Sequence, residues 1–528
     1  MNTAEELVAL LCAVIAVVLI GRRLKVPYPI ALVVGGLCIS LVPGLPVIRI
    51  DPDKVFLLFL PPLLYAAAWF TSWHDFKANL RPILLLAVGL VVFTTVVVGL
   101  VVHALIPGIP LSIAFALGAI VSPPDAVATT AVTQQVRLPK RLVTVLEGES
   151  LVNDATGLVA LRFAVASAAS GTFSLGHASL EFIWVAAGGL AIGVAVGWLT
   201  AKAMRCIKDD SLLILVSLIA PYAAYLPAER AHVSGVLAAV GAGVYGGWRG
   251  AELIGAQTRL SAVPVWSLLV FLLNCVLFIL IGLQLPQVVA GPGHLPWWKL
   301  GLYGTVISAV VILVRPLWVF PATWLPRLLS KKLRERDPNP PWQAIMIISW
   351  SGMRGVVSLA AALALPETFA DGRVFPERDL VIFLSFCVIL STLVLQGGTL
   401  PFLIRRLGVK EKRDDNHERE VRLKVLHAAL AHLNKLGEQP GAHEESVQRV
   451  IKIYGQRVQH QNDQLANTLG WSTDRERWIH TRRLLLEALV AERKELIKLH
   501  HGNHVDDEIM RRLEREMDLE ETRLKTAT

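Results

Sequence analysis

Charge is scarce in this chain. Asp, Glu, Lys and Arg make up 18% of its 528 residues against a hydrophobic share of 54%, and the mean hydropathy is +0.54. A water-soluble chain is usually about one quarter charged, because its surface must face water. A purely soluble, multi-domain protein is therefore excluded. Cysteine is scarce too. Cys12, Cys38, Cys206, Cys275 and Cys387 form no C-x-x-C pair, which argues against a disulfide framework or a thiolate metal cluster and leaves small core residues as the expectation. Glycine and proline, at 39 and 29, are near average usage, so collagen-like and low-complexity chains are excluded as well. The first apolar run also lacks a basic leader. Glu5 and Glu6 precede it and Arg22, Arg23 and Lys25 follow it, the reverse of a cleaved signal peptide.

The charge that is present sits unevenly. Residues 1–404 hold 27 Lys/Arg and 20 Asp/Glu, whereas residues 405–528 hold 24 and 22. The expected organisation is a transmembrane domain over 1–407 followed by a soluble helical tail over 408–528. A spanning helix needs about 20 mostly apolar residues. Thirteen segments qualify: 7–21, 28–47, 54–72, 82–106, 111–134, 140–170, 181–204, 211–227, 231–248, 263–286, 299–325, 342–366 and 379–404. If alternate loops from 22–27 onward face the cytoplasm, those loops carry 18 Lys/Arg and the opposite set carries six. That bias predicts an outer N-terminus and a cytosolic tail. The net charge of +9 then reflects topology and anionic lipid, with no nucleic-acid partner implied.

Few ionisable residues remain inside the spans: Arg162, Arg315 and Arg354 among bases, and Asp125, Glu147, Glu149 and Asp154 among acids. Such groups mark ion or proton pathways unless they are paired. Arg315, just before Pro316, is expected to fix helix packing; Arg162 is open to either role. The fifth span contains Ser122-Pro-Pro-Asp125, where two prolines remove two donors and should open the helix. The twelfth contains Ser351-Gly-Met-Arg354-Gly355, a second weak point. If spans 1–6 and 8–13 are inverted repeats joined by span 7, the fifth and twelfth occupy matching places. Matched interruptions point to a secondary transporter's site near the bilayer midplane.

The sixth span reads Glu147-Gly-Glu149-Ser150-Leu-Val-Asn153-Asp154. Ser150 and Asp154 share a helical face, as do Glu149 and Asn153. Asp154 with Asp125, a hydroxyl and freed carbonyls would make a set of hard oxygen ligands suited to an alkali cation. A channel would need a repeated carbonyl filter, and an organic-anion carrier would need exposed basic groups at the site. An enzyme would need a nucleophile and base, and His103 and His232 are isolated near span ends.

Gly148-Glu149-Ser150-Leu-Val-Asn153-Asp154, Ser122-Pro-Pro-Asp125-Ala-Val-Ala and Gly352-Met-Arg354-Gly355 together resemble the cation:proton antiporter-1 family of sodium/proton exchangers. Phe59-Leu-Pro61-Pro62, Ser234-Gly235-Val-Leu-Ala and Phe278-Ile-Leu-Ile-Gly282 extend the likeness over about residues 5–405. The resemblance implies that Asp154 alternately holds cation and proton in a Na+ site with Asp125 and Ser150, and that carbonyls near Pro124 assist. It implies that Asn153 marks an electroneutral member and that Glu149 and Arg354 form an ion pair. Two positions depart from the family's common pattern: Pro124 precedes Asp125, and Tyr65-Ala66-Ala67 is neutral. The expected function is exchange of a monovalent cation, Na+ foremost, for H+ at the plasma membrane. One cation would be exchanged per proton, in the service of intracellular pH and cation level. Antiport selective for K+, or transport of an organic anion, is the alternative. No cofactor is called for, and a homodimer is expected.

In the tail, Thr473-Asp-Arg-Glu476 reads as a capping box, with Trp478, Leu484, Leu485, Leu489 and Leu496 at helical spacing. Nine of the 14 His fall there, and a pH-sensing role is weighed against a solvated or dimerising tail. Gly189, Gly193 and Gly197 read as close helix packing first and a dimer contact second.

Overall fold

The computed structural model describes residues 3–42, 52–125, 129, 138–171, 175–253, 255–292, 295–337, 339–369, 372–409, 415–437, 444–467 and 484–490, with 492, 496, 513 and 516–521 beyond them. Each of the thirteen apolar segments carries helix. They are α1 (Thr3–Leu24), α2 (Tyr28–Ser40) and α3 (Pro52–Phe70), then a short α4 (Trp73–Ala78) before α5 (Leu80–Leu105) and α6 (Leu111–Val121). Next come α7 (Lys140–Ser170), α8 (Leu175–Cys206), α9 (Asp210–Arg230), α10 (Gly235–Leu253), α11 (Ala256–Leu283) and α12 (Trp297–Leu329). The twelfth segment is split into α13 (Trp342–Trp350) and α14 (Val356–Leu363), and α15 (Arg378–Leu407) closes the set. Seven helices among the described residues are long and apolar enough to cross a bilayer: α5, α7, α9, α11, α12 and α15 nearly or wholly as bounded, and Leu180–Cys206 of α8.

The chain divides into two compact units, Met1–Glu411 and Lys412–Thr528. The second contains α16 (Asp415–Gly437) and α17 (Glu444–Asn467). The expected capping box at Thr473 and Trp478 lie outside the described residues. Leu489 and Leu496 are buried there, whereas Leu484 and Leu485 are exposed.

Lipid tails are as apolar as leucine, so spans associate through close backbone approach and polar links. The glycines of α8 show this. A β-carbon at Gly189 would strike the Ser234 carbonyl, and one at Gly193 would strike Ala238. Gly197 lies against Ala242 and Tyr245. This glycine face is therefore spent on α10 within the same chain, and the alternative use of it as a dimer contact is corrected. Helix α3 packs on α10 as well, and α2 packs along α11. The helices α5, α7, α12 and α15 pack around the two interrupted segments. Where α7 meets α3 and α10, the seam is lined by Leu60, Leu64, Leu151, Ala155, Val236 and Val240.

At the Lys140 end of α7 a polar bracket ties distant segments. Asp337 accepts from Arg141 Nη2 at 2.7 Å and Arg327 Nη2 at 2.6 Å. Arg141 Nε also donates to Asn79 Oδ1 at 3.0 Å, and Asn79 Nδ2 donates to the Asp75 carbonyl at 2.8 Å. Burial by itself would raise the Asp337 carboxyl; the hydrogen bond and charge of Arg141, with those of Arg327, outweigh it and hold the group below the usual carboxylate range. The pair's contribution is then complete above the unfolded value of about 4 and is lost as pH falls through the lower folded value. Asp337→Asn should cost about 1 kcal/mol or less at neutral pH, given solvent screening. The gap between variant and wild type in thermal unfolding should close as the pH enters the acid range.

Candidate functional site

The fifth span stops being helical at Val121. Pro123 and Pro124 have no N–H, so the Ala119 and Ile120 carbonyls lose their normal donors. The Ser122 hydroxyl donates to the Ala119 carbonyl at 3.0 Å. Thr129, itself helical, donates both its N–H and its hydroxyl to the Asp125 carbonyl. The twelfth span stops at Trp350, where the Ser349 and Ser351 hydroxyls bond back to Ile345 and Ile347 carbonyls, and restarts at Val356. Both breaks fall where the sequence places them.

The breaks are stitched to each other. The Asp125 N–H donates to the Met353 carbonyl at 2.7 Å, and Arg354 Nε donates to the Val121 carbonyl at 2.7 Å. Arg354 Nη1 donates to the Gly352 carbonyl, and its own N–H donates to Thr392 Oγ1 at 3.0 Å. Thr392 opens a π-helical turn, Thr392–Gln396, in α15. Gly355 is required by proximity, because a β-carbon there would overlap the Asp125 carboxylate. Buried backbone groups freed by the breaks thus find partners across the crossing, as they must in the bilayer core.

Helix α7 supplies the other half. Asp154 is buried, 6% exposed, and borders a cavity with Ala119, Ile120, Pro123, Val357 and Ser358. The cavity is about 10 Å³, room for about one water, and Gly157, Leu158, Leu161 and Ala361 complete a lining that is apolar apart from Asp154 and Ser358. Asn153 is fully buried; its Nδ2 donates to the Pro124 carbonyl at 2.8 Å, and its Oδ1 has no hydrogen-bond partner. Asp125 and Asp154 are near enough to repel one another electrostatically. Asp125 and Ser150 are half-buried. The crossing therefore gathers Asp154, Asp125, Asn153 and the Pro124 carbonyl. The Pro124 oxygen is engaged by Asn153, a use that its expected role as a cation ligand did not include.

One expected contact is replaced. Glu149 does not pair with Arg354. Its two oxygens accept from Arg315 Nη1 and Nη2 at 2.6 and 2.7 Å, and Arg315 Nε donates to the Ile348 carbonyl at 3.0 Å. Glu149, Arg315 and Arg354 are each 1% exposed. The reason is geometric: the planar guanidinium of Arg315 enters from α12 and meets the carboxylate with two parallel bonds. Arg354 sits in the interrupted backbone, where unpaired carbonyls claim it. Arg315 thus fixes helix packing, as expected, but through a partner that the sequence had assigned elsewhere. Thr392 was missed, since a lone threonine in an apolar run gives no signal. His103 is structural, with Nδ1 2.9 Å from the Ile109 carbonyl oxygen.

Two interrupted helices crossing beside a buried carboxylate, within an apolar helical body, define the core of an ion-coupled membrane transporter. Residues 7–406 match the family described as "Sodium/hydrogen exchanger, transmembrane", and the chain belongs to that family. It is 34% identical over 527 residues to an uncharacterized Na(+)/H(+) exchanger of Mycobacterium tuberculosis, covering 98% of this chain and 95% of that protein. It is 36% identical to a sodium, potassium, lithium and rubidium/H(+) antiporter of Bacillus subtilis, covering 72% of this chain and 58% of that one. The fold resembles that of the sodium proton antiporter MjNhaP1 from Methanocaldococcus jannaschii, with a TM-score of 0.59, 20% identity, and 77% of this chain and 99% of that chain covered.

The reassigned ion pair has a direct check. Arg315→Met leaves Glu149 buried without its partner and should cost about 3–5 kcal/mol. Adding Glu149→Gln should recover much of that loss in thermal unfolding, whereas adding it to Arg354→Met should not.

Proposed function

We propose that this protein exchanges a monovalent cation, Na+ foremost, for H+ across the cell membrane, and thereby sets intracellular pH and cation level. The observation that carries this is the buried Asp154 carboxylate beside a small cavity where the two broken helices cross. A proton and an alkali cation each neutralise that carboxylate, so occupancy by one excludes the other. Asp125, Ser150 and Asn153 Oδ1 offer further hard oxygens in its surroundings.

The charges support one-for-one exchange. Asp125, Glu149 and Asp154 oppose Arg315 and Arg354, leaving one negative charge when all are ionised. A single cation or a single proton cancels it, so either loaded state is neutral and the exchange moves no net charge. The arginines are committed to Glu149 and to backbone carbonyls, which argues against an organic-anion substrate. The range of alkali cations in the name of the Bacillus subtilis antiporter fits an all-oxygen ligand set that selects by size.

In this reading thirteen spans form two inverted six-helix repeats, with the N-terminus outside and the tail in the cytosol, as the basic loop residues indicate. The functional unit is a homodimer. The body carrying α6, α7, α13, α14 and α15 moves as one against α3 and α8–α10. The stitched breaks hold that body together, and the buried Glu149–Arg315 pair adds α12 to it.

Asp154→Asn should abolish Na+-driven proton movement in proteoliposomes, a loss of more than about a hundredfold, as expected when the exchanged charge itself is removed. Persistent exchange would refute the assignment of Asp154. In wild-type proteoliposomes an imposed membrane potential should leave the rate unchanged, and a rate that follows the potential would refute one-for-one stoichiometry.

A further inference from the structure

Arg162 is the one base within the spans that the site does not use. It lies on α7 eight residues beyond Asp154, about 12 Å along the axis at 1.5 Å per residue. Its Nη2 meets Glu229 Oε2 at 3.3 Å. Glu229 belongs to the last turn of α9, and its other oxygen, Oε1, accepts the N–H of Gly235 at the start of α10, at 3.1 Å. Glu229 is thereby fixed to the α9–α10 pair, while Arg162 travels with Asp154. The ion pair crosses the seam whose middle is apolar, built from Leu151 and Ala155 of α7 against Leu60, Leu64, Val236 and Val240.

The two ion pairs on α7 differ in kind. Glu149–Arg315 is closed off from solvent, with both side chains 1% exposed. Arg162 and Glu229 are 54% and 35% exposed. An exposed charge at this distance from the centre of a spanning helix faces water or the bundle interior, not lipid. A water-facing ion pair is weak, so it can open during each cycle. A buried one is costly to separate, so it holds.

We propose that Arg162 and Glu229 form a releasable lock on the outer end of this seam. The lock is closed here and opens when the Asp154 helix shifts to release its ion outward. This rests on the exchange reading and its orientation, and makes Arg162 a positioning residue, not a ligand. Apolar contacts along the seam can slide, whereas the ion pair must break, so its strength biases the balance between inward-facing and outward-facing states.

The test uses the full-length protein in vesicles of known sidedness, with the half-saturating Na+ concentration for proton exchange measured from each side. Arg162→Gln weakens the closed state and shifts the population outward. The outer half-saturation value should fall and the inner one rise, each by about two- to fivefold, the range that an exposed ion pair supplies. The charge-swapped variant, Arg162→Glu with Glu229→Arg, should return both values to wild type. Values that stay put on both sides, or move in the same direction, overturn the lock. Should Arg162→Gln fail to assemble, Glu229→Gln is read by the same two outcomes. Wild-type vesicles that show no exchange overturn the exchange reading and the lock with it. Wild-type exchange with symmetric variants overturns the lock alone.

Discussion

Everything at this site follows from one constraint: a backbone amide or carbonyl at bilayer depth must find a partner inside the protein. Interrupting a spanning helix frees several such groups at once. Here two interruptions meet, and each satisfies the other through the Asp125 N–H on the Met353 carbonyl and Arg354 on the Val121 carbonyl, while Asn153 of α7 takes up the Pro124 carbonyl. The crossing is therefore stable only as a pair. Its by-product is a place where carboxylates can stand without a helix filling the space beside them.

The same constraint explains why the arginines are where they are. Arg354 brings a positive charge into the crossing and spends it on the Val121 and Gly352 carbonyls. Arg315 neutralises Glu149 and bonds the Ile348 carbonyl, clamping α7 to α12 and α13. Asp125, Glu149 and Asp154 against Arg315 and Arg354 leave one net negative charge when all five are ionised, the charge that one cation or one proton cancels in the proposed exchange.

Much of this was legible in the sequence, for definable reasons. Apolar length gave the helical segments, because hydropathy is a property of consecutive residues. The breaks at Ser122–Asp125 and Ser351–Gly355 were visible because proline and clustered glycine act locally. Yet proline alone did not decide it. Pro61-Pro62 lies inside the unbroken α3, whereas Pro123-Pro124 ends α6. What differs is the crossing segment, which offers the opened backbone new partners, and no window of sequence contains that information.

The sequence by itself determined the helices, the two interruptions and the short list of charges that could matter, since these depend on composition and spacing along the chain. Tertiary structure alone decided which charges meet. Of the three arginines within the spans, three-dimensional geometry gave Arg315 to Glu149 and left Arg354 to the backbone. Likewise Arg162 had no partner in its own helix and found Glu229 across the seam. Pairing energy depends on the distance and orientation of side chains from remote helices, and those are set only when the helices pack.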